Sequence, residues 1–468
     1  MLLAKDAEGH KQIREISTRA WKRSYVERRM RRVPTYYQDL IDIIGKNPGH
    51  VIGTTACLGG AIPTQILKAK TNPQLNEKIE IWCEQMREIF GAENFYLELQ
   101  PSKSEEQTYV NRQLIKLSEK LGLPYIITTD THYLKKEDKP IHKAYLNSQN
   151  GDREVDDFYA TTYLMDTEEL ESHMDLTPEE LEKAYENILK IKNLCKDFSL
   201  LKPLKIPELI WRDLGEYVIN RKFWINQIPY LETFWCSDYE GDVRLADSIV
   251  LKLISDERLQ TSEIYDAVEE CLKMTWISSE VNKTHWSAYY LNLQKIIDSV
   301  WEAGSLVGPG RGSGVGFILL YLLDITQINP VWETTKTYAF RFLNPERVSV
   351  LDIDFDSEGI RRKDILNKFK EVYGENRVSG VATFGTEKSK NAILTSCRGL
   401  NIDVDIAQYL SSLIPSDRGQ TRTLSQCMYG DEEAGFAPVK QFVIEMTQNY
   451  PEVWSIAQKI EGLVCRLG

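Results

Sequence analysis

Between Val350 and Asp356 the chain reads VLDIDFD, so aspartate alternates with apolar residues at a period of two. One backbone accounts for that pattern: an extended strand puts Asp352, Asp354 and Asp356 on one face and turns Ile353 and Phe355 toward a core. Three like charges side by side repel. Divalent cations relieve such repulsion, and carboxylates with phosphate oxygens are the donors Mg²⁺ prefers. A solvated strand face is the ordinary alternative. A calcium loop fits poorly, because its sixth position would be Ser357 in place of glycine and its twelfth Lys363 in place of glutamate.

A second motif precedes it, VGPGRGSGVG from Val307 to Gly316. Glycines let backbone amides approach a ligand closely, and a helix starting just after them adds the positive end of its dipole. The loop matches neither standard phosphate template. A Walker A loop needs lysine after its last glycine, where Gly312 is followed by Ser313, and a dinucleotide fingerprint from Gly310 would need glycine at Val315. Taken alone, the loop reads equally as a phosphate cradle or a structural turn. A glycine and serine loop for a triphosphate, followed by an Asp-x-Asp strand for two metals, is what in-line nucleotidyl transfer requires.

The rest of the 468 residues supply the setting. That length corresponds to about three domains at roughly 150 residues each, and 42% hydrophobic with 27% charged residues is ordinary for a folded globular chain. No apolar run approaches the ~18 residues of a membrane span, and the acidic start MLLAKDAEGH is no signal peptide. A cytoplasmic protein without a membrane partner is expected, and eight cysteines without a C-x-x-C pair suggest reduced thiols. A net charge of −12 argues weakly against nucleic acid, because local surfaces decide that binding. Arginines at 28, 29, 31 and 32 read most simply as a solvated helix face, with a template-DNA contact as the alternative, and residues 359 to 400 hold nine Lys and Arg against four Asp and Glu. Periodicity predicts a helix through VNRQLIKLSEKLG followed by the buried strand LPYIITTD, and a helix capped at Thr177 by Pro178 and Glu180. A linker with two prolines follows Leu200, then a Trp-rich helical stretch, and a helix RRKDILNKFKEVYG after the aspartates.

Four motifs in order, VGPGRGSGVG, RFLNPERVS, DIDFD and VATFGTEKSK, make the chain similar to the alpha subunit of bacterial DNA polymerase III, the C family of replicative polymerases. ACLGG, LELQ and TTDTHYL resemble parts of that family's N-terminal polymerase-and-histidinol-phosphatase domain. The resemblance implies an α/β multidomain fold: a truncated α/β barrel domain of the PHP type over 1–200, a helical connecting part over 201–300, a polymerase-beta-like nucleotidyltransferase palm over 301–380, and the start of the fingers over 381–468. By the same resemblance Asp352 and Asp354 match the palm aspartates that hold two Mg²⁺ ions. Gly312 and Ser313 match the pair touching the incoming deoxynucleoside triphosphate. Arg341, Arg347, Lys390 and Arg398 match basic nucleotide-binding positions. Asp356 shares the face and matches no ligand. Cys57, Asp130 and His132 match part of a PHP metal cluster, for Zn²⁺ or Mn²⁺.

Departures accompany these matches. Leu351 stands where the family has proline, Phe340 replaces an acid, and Leu394 replaces a fingers arginine. The palm's third aspartate is expected beyond Gly468, together with the rest of the fingers, and the histidine motif that opens the family's PHP domain is absent from the sequence. A divergent polymerase segment is therefore the reading, acting on primer-template DNA with the remaining polymerase segment and replisome subunits, and inactive alone. A non-catalytic DNA- or polymerase-binding fragment and a metal-dependent phosphoesterase are the rivals.

Overall fold

A computed structural model describes the chain except for residues 28–29, 103, 151–157, 202–211, 335–336, 345–351, 382, 418–419 and 468. Two compact units emerge, one built from Met1–Lys202 with Ala382–Gly468 and the other from Pro203–Val381. The first unit holds β1 (Leu2–Ala4), β2 (Tyr25–Glu27), β3 (Met30–Arg32), β4 (Val51–Thr54), β5 (Phe95–Leu99), β6 (Tyr125–Ile127), β7 (Phe384–Thr386), β8 (Ser416–Asp417), β9 (Gln420–Thr421) and β10 (Val464–Leu467). Four of them form an open sheet in the order β1-β4-β5-β6, antiparallel at β1 and parallel thereafter. β5 reads FYLEL and is buried throughout, as a parallel strand covered on both faces must be.

The helices around this sheet start and stop where local chemistry dictates. Ser104 accepts from the Gln107 amide to open the helix Glu105–Leu121, and Gly122, at φ 67°, closes it in the left-handed region that glycine tolerates. The Thr177 capping box forms as predicted and opens Pro178–Leu194, whose Ala184 packs into the sheet core. A second core in the same unit joins the helices Lys139–Asn150, Ser389–Gly399, Val404–Ser412 and Pro451–Ile460 through Ala144, Ile393, Cys397 and Ala457. The basic run near residue 30 is a hairpin of β2 and β3, in place of the expected helix face. Arg31 and Arg32 are exposed on it, and Arg28 and Arg29 lie outside the described residues.

The second unit is helical, with no strand among its described residues. Helices Glu240–Ser255, Ser262–Asn282 and Trp286–Glu302 bury Leu245, Leu272, Trp286 and Tyr290 together with Phe317 and Leu319. Trp224, Trp235 and Trp286 are core, and the Pro-rich linker and Trp211 lie outside the described residues. The expected acidic strand is the main correction. Residues 352–356 form no strand ladder, and among the described residues the bridge beside them is Val307 opposite Ser357. Its alternation survives all the same: Asp352, Asp354 and Asp356 are exposed, while Ile353 and Phe355 pack on the helical core. Among the described residues no helix is long and apolar enough to cross a membrane.

Candidate active site

Residues Ser305 to Gly308 run antiparallel to the acidic segment and fix its depth. The Glu358 amide donates to Ser305 Oγ at 3.2 Å, the Leu306 amide to Glu358 Oε2 at 3.0 Å, and the Gly308 amide to the Asp356 carbonyl at 2.9 Å. The approach at Gly308 is close: a Cβ there would lie 3.1 Å from Asp356 Cβ, so any side chain would have to push that neighbour aside by a few tenths of an ångström. Beyond it the loop turns through Gly310 at φ 131° and Gly312 at φ 68°, then closes into the short 3₁₀ turn Gly312–Gly316. Buried Phe317 and the helix Ile318–Leu322 anchor its far end.

The loop thereby carries Arg311 to the aspartates. Its Nη1 lies 3.2 Å from Asp356 Oδ1 and its Nε 3.6 Å from Asp354 Oδ2. Gly312 backs the same carboxylate, with room for a Cβ at 3.7 Å from Asp354 Oδ2. Asp354 and Asp356 therefore converge on the glycine loop at Arg311 and Gly312, and Ser313, next along the loop, is exposed. Asp352 has a different neighbour. Burial pushes the Tyr289 phenol upward and the Asp352 charge adds to the rise, while a hydrogen bond with the Ile353 backbone opposes it.

Two exposed carboxylates a single guanidinium can bridge are hard-oxygen donors, and Mg²⁺ is commonly held by one or two carboxylates plus substrate phosphates. The residues present fit such an ion. No group of three or more His, Cys, Asp or Glu is arranged to hold a metal among the described residues.

Other expected positions fall elsewhere. Arg341 is exposed on the 3₁₀ turn Ala339–Arg341, and Arg347 lies outside the described residues. Lys390, half-buried, and Arg398, exposed, sit on the helix Ser389–Gly399 of the other unit. Cys57, Asp130 and His132 do not assemble a metal group. His132 Nδ1 pairs with the Asp130 carbonyl oxygen at 2.6 Å, and its ring packs edge-on to Tyr159 and His142. In that unit sequence reasoning missed Glu98, 1% exposed, which accepts from Thr54, Thr128 and Gln100 side chains. An acid inside an otherwise apolar strand was the available signal.

Two family models match the chain. Residues 255–468 match the model of the bacterial DNA polymerase III alpha NTPase domain, and residues 1–102 match the PHP domain. The chain carries a PHP domain ahead of a polymerase III alpha NTPase domain, in a mixed α/β, mostly helical fold. Over 494 aligned residues it is 39% identical to a probable DNA polymerase, YorL, of Bacillus subtilis and to a DNA-directed DNA polymerase of Bacillus phage SPbeta, covering 99% of this chain and 37% of each relative. It is 28% identical to a DNA polymerase III subunit alpha of Aquifex aeolicus over 457 residues, 97% of this chain and 35% of that one. The chain thus spans little more than a third of the length of these relatives.

Proposed function

We propose that the chain contributes the triphosphate loop and a metal-binding carboxylate pair to a DNA-directed DNA polymerase. The observation that carries this reading is the convergence of Asp354 and Asp356 on the glycine loop through Arg311. The loop of Gly312 and Ser313 presents backbone amides and a hydroxyl suited to phosphate oxygens. Asp354 and Asp356 hold divalent ions beside that loop, a choice of pair that geometry favours over Asp352. Bound Mg²⁺ would lower the pKa of the primer 3′-hydroxyl and stabilise the leaving pyrophosphate, the usual chemistry of a two-metal site. Arg341, Arg347, Lys390 and Arg398 are proposed contacts to nucleotide or template. The finer fold assignments, a PHP barrel over 1–200, a helical connecting part over 201–300, a palm over 301–380 and the start of the fingers over 381–468, belong to the same proposal, as do Mg²⁺, primer-template DNA and the remaining polymerase segment as partners.

Primer extension by the chain, complemented with the remainder of a polymerase III alpha subunit, tests the assignment. Asp354→Asn and Asp356→Asn should each lower extension by ~10²-fold or more, the scale of losing one preorganised electrostatic contribution. Asp352→Asn should keep most of it. Wild-type extension by the Asp354→Asn protein would refute the reading. A second reading, a DNA- or partner-binding chain without chemistry, is favoured by the absence of a third converging ligand among the described residues. Primer-template binding that survives both substitutions, with no extension by the complemented wild type, would select it.

A further inference from the structure

We propose that Arg311 is a built-in competitor for the metal position: its guanidinium neutralises Asp354 and Asp356 until a divalent cation displaces it. The inference rests on the polymerase reading above and goes one step past it. Among the described residues Arg311 supplies the salt bridges to both aspartates, to Asp354 at 3.6 Å and to Asp356 at 3.2 Å. Arginine holds its charge at every working pH, so the competitor is always present.

The loop geometry makes the delivery specific. Gly310 and Gly312 flank Arg311 and both take positive φ, which steers the intervening side chain back over the acidic segment. A Cβ at Gly310 would meet Val315 Cγ1 at 2.8 Å, so this turn next to Arg311 has no room for a side chain at Gly310. All three side chains stay at least half exposed, at 55%, 51% and 65%, and an ion pair so wet is weak and exchanges readily. A doubly charged ion coordinated directly by the same oxygens outcompetes it. The exchange balances: one guanidinium leaves the two carboxylates as one divalent cation enters. The displaced fork remains between Gly310 and Gly312, beside the proposed phosphate site, where planar bidentate donors suit phosphate oxygens. Arg311 is in this sense a positioning residue, one that keeps two mutually repelling carboxylates close while no metal is bound.

The test is Mn²⁺ binding to the full chain at low salt, followed by electron paramagnetic resonance of the free ion. Arg311→Gln should bind Mn²⁺ about three- to ten-fold more tightly than wild type, the effect of removing one charge from a well-solvated site a few ångströms away. Raising salt should shrink the difference, because the competing contact is screened. Asp354→Asn and Asp356→Asn should weaken binding in both backgrounds. Arg311→Met provides a second neutral variant should the glutamine disturb the circular dichroism spectrum. A merely structural arginine would shift thermal stability and leave the affinity alone. Equal or weaker Mn²⁺ affinity in a folded neutral variant would overturn the proposal while leaving the metal reading intact. Absence of Asp354-dependent binding in wild type and variant alike would overturn both.

Discussion

Replacing Gly399 with alanine should loosen the helical core of the first unit. Gly399 ends the helix Ser389–Gly399, and its backbone angle is ordinary, so nothing local forbids a side chain. Removing glycine from a helix would by itself stabilise by roughly 0.5–1 kcal/mol. The obstacle is a neighbour: a Cβ would lie 2.2 Å from the Ala144 carbonyl oxygen and 2.7 Å from its Cα, on the helix Lys139–Asn150. Ordinary contact begins near 3.4 Å, so the two backbones must part by the difference, 3.4 minus 2.2, or about 1.2 Å. A gap of 0.5–1 Å already forfeits a quarter to a half of each dispersion contact, and Ala144, Ile393 and Cys397 all pack at this seam. Overpacking of this kind costs ~1–3 kcal/mol, more when backbone must move, and we take about 2–4 kcal/mol. Hydrogen exchange followed by mass spectrometry reads that loss locally. At about 1.4 kcal/mol per decade, peptides spanning 139–150 and 389–399 should exchange about 30- to 1,000-fold faster. Gly359→Ala, where a Cβ meets nothing within 4 Å, is the control and should change little. Exchange in Gly399→Ala within three-fold of wild type would refute the steric argument.

Thiol labelling should sort the cysteines by burial. Burial pushes Cys397 and Cys427 up to about 11, so at pH 8 both should react with a disulfide reagent only upon unfolding, while exposed Cys236 reacts at once. His142 should make the first unit acid-sensitive: burial, then the charge of His132, holds its pKa below 6.5. The unfolded chain therefore binds more protons in that window, and stability, full above pH 6.5, should fall as pH drops below it. His142→Gln should flatten the urea midpoint between pH 7 and 5, and an unchanged slope would exclude His142 as the cause. Finally, primer-template affinity should fall steeply with salt, and charge reversal at Lys390 or Arg398 should reduce the slope in a filter-binding titration, whereas reversal at Glu257 should not.

What the sequence made legible was local. Thr177, Pro178 and Glu180 announce a helix start because a cap is closed within four residues, and the alternation of 352–356 foretells which side chains are wet. The strand expectation failed because a strand needs a partner, and pairing is a property of distant residues, here, among the described residues, the bridge at Ser357. The same limit hid the choice of aspartates. Alternation treats Asp352, Asp354 and Asp356 alike, and only the approach of the Gly308–Gly312 backbone separates the two beside Arg311 from the one beside Tyr289. Arg311 itself lay inside a motif read for its glycines. Cys57, Asp130 and His132 matched a family pattern in sequence, yet His132 turns to a carbonyl and to aromatic rings.

The first unit is interrupted: residues 203–381 form the other unit before the chain returns to finish it. During synthesis this imposes a wait. Ala144 and Gly399, which touch, are separated by 399 minus 144, or 255 residues. At roughly 5–20 residues per second the ribosome takes about 13 to 50 seconds to deliver the partner helix. Throughout that interval the apolar side of Lys139–Asn150, with Ile141, Ala144 and Tyr145, has no cover from the late helices. A nascent chain stalled before residue 382 should thus hold a bindable hydrophobic helix, a ready client for a ribosome-associated chaperone.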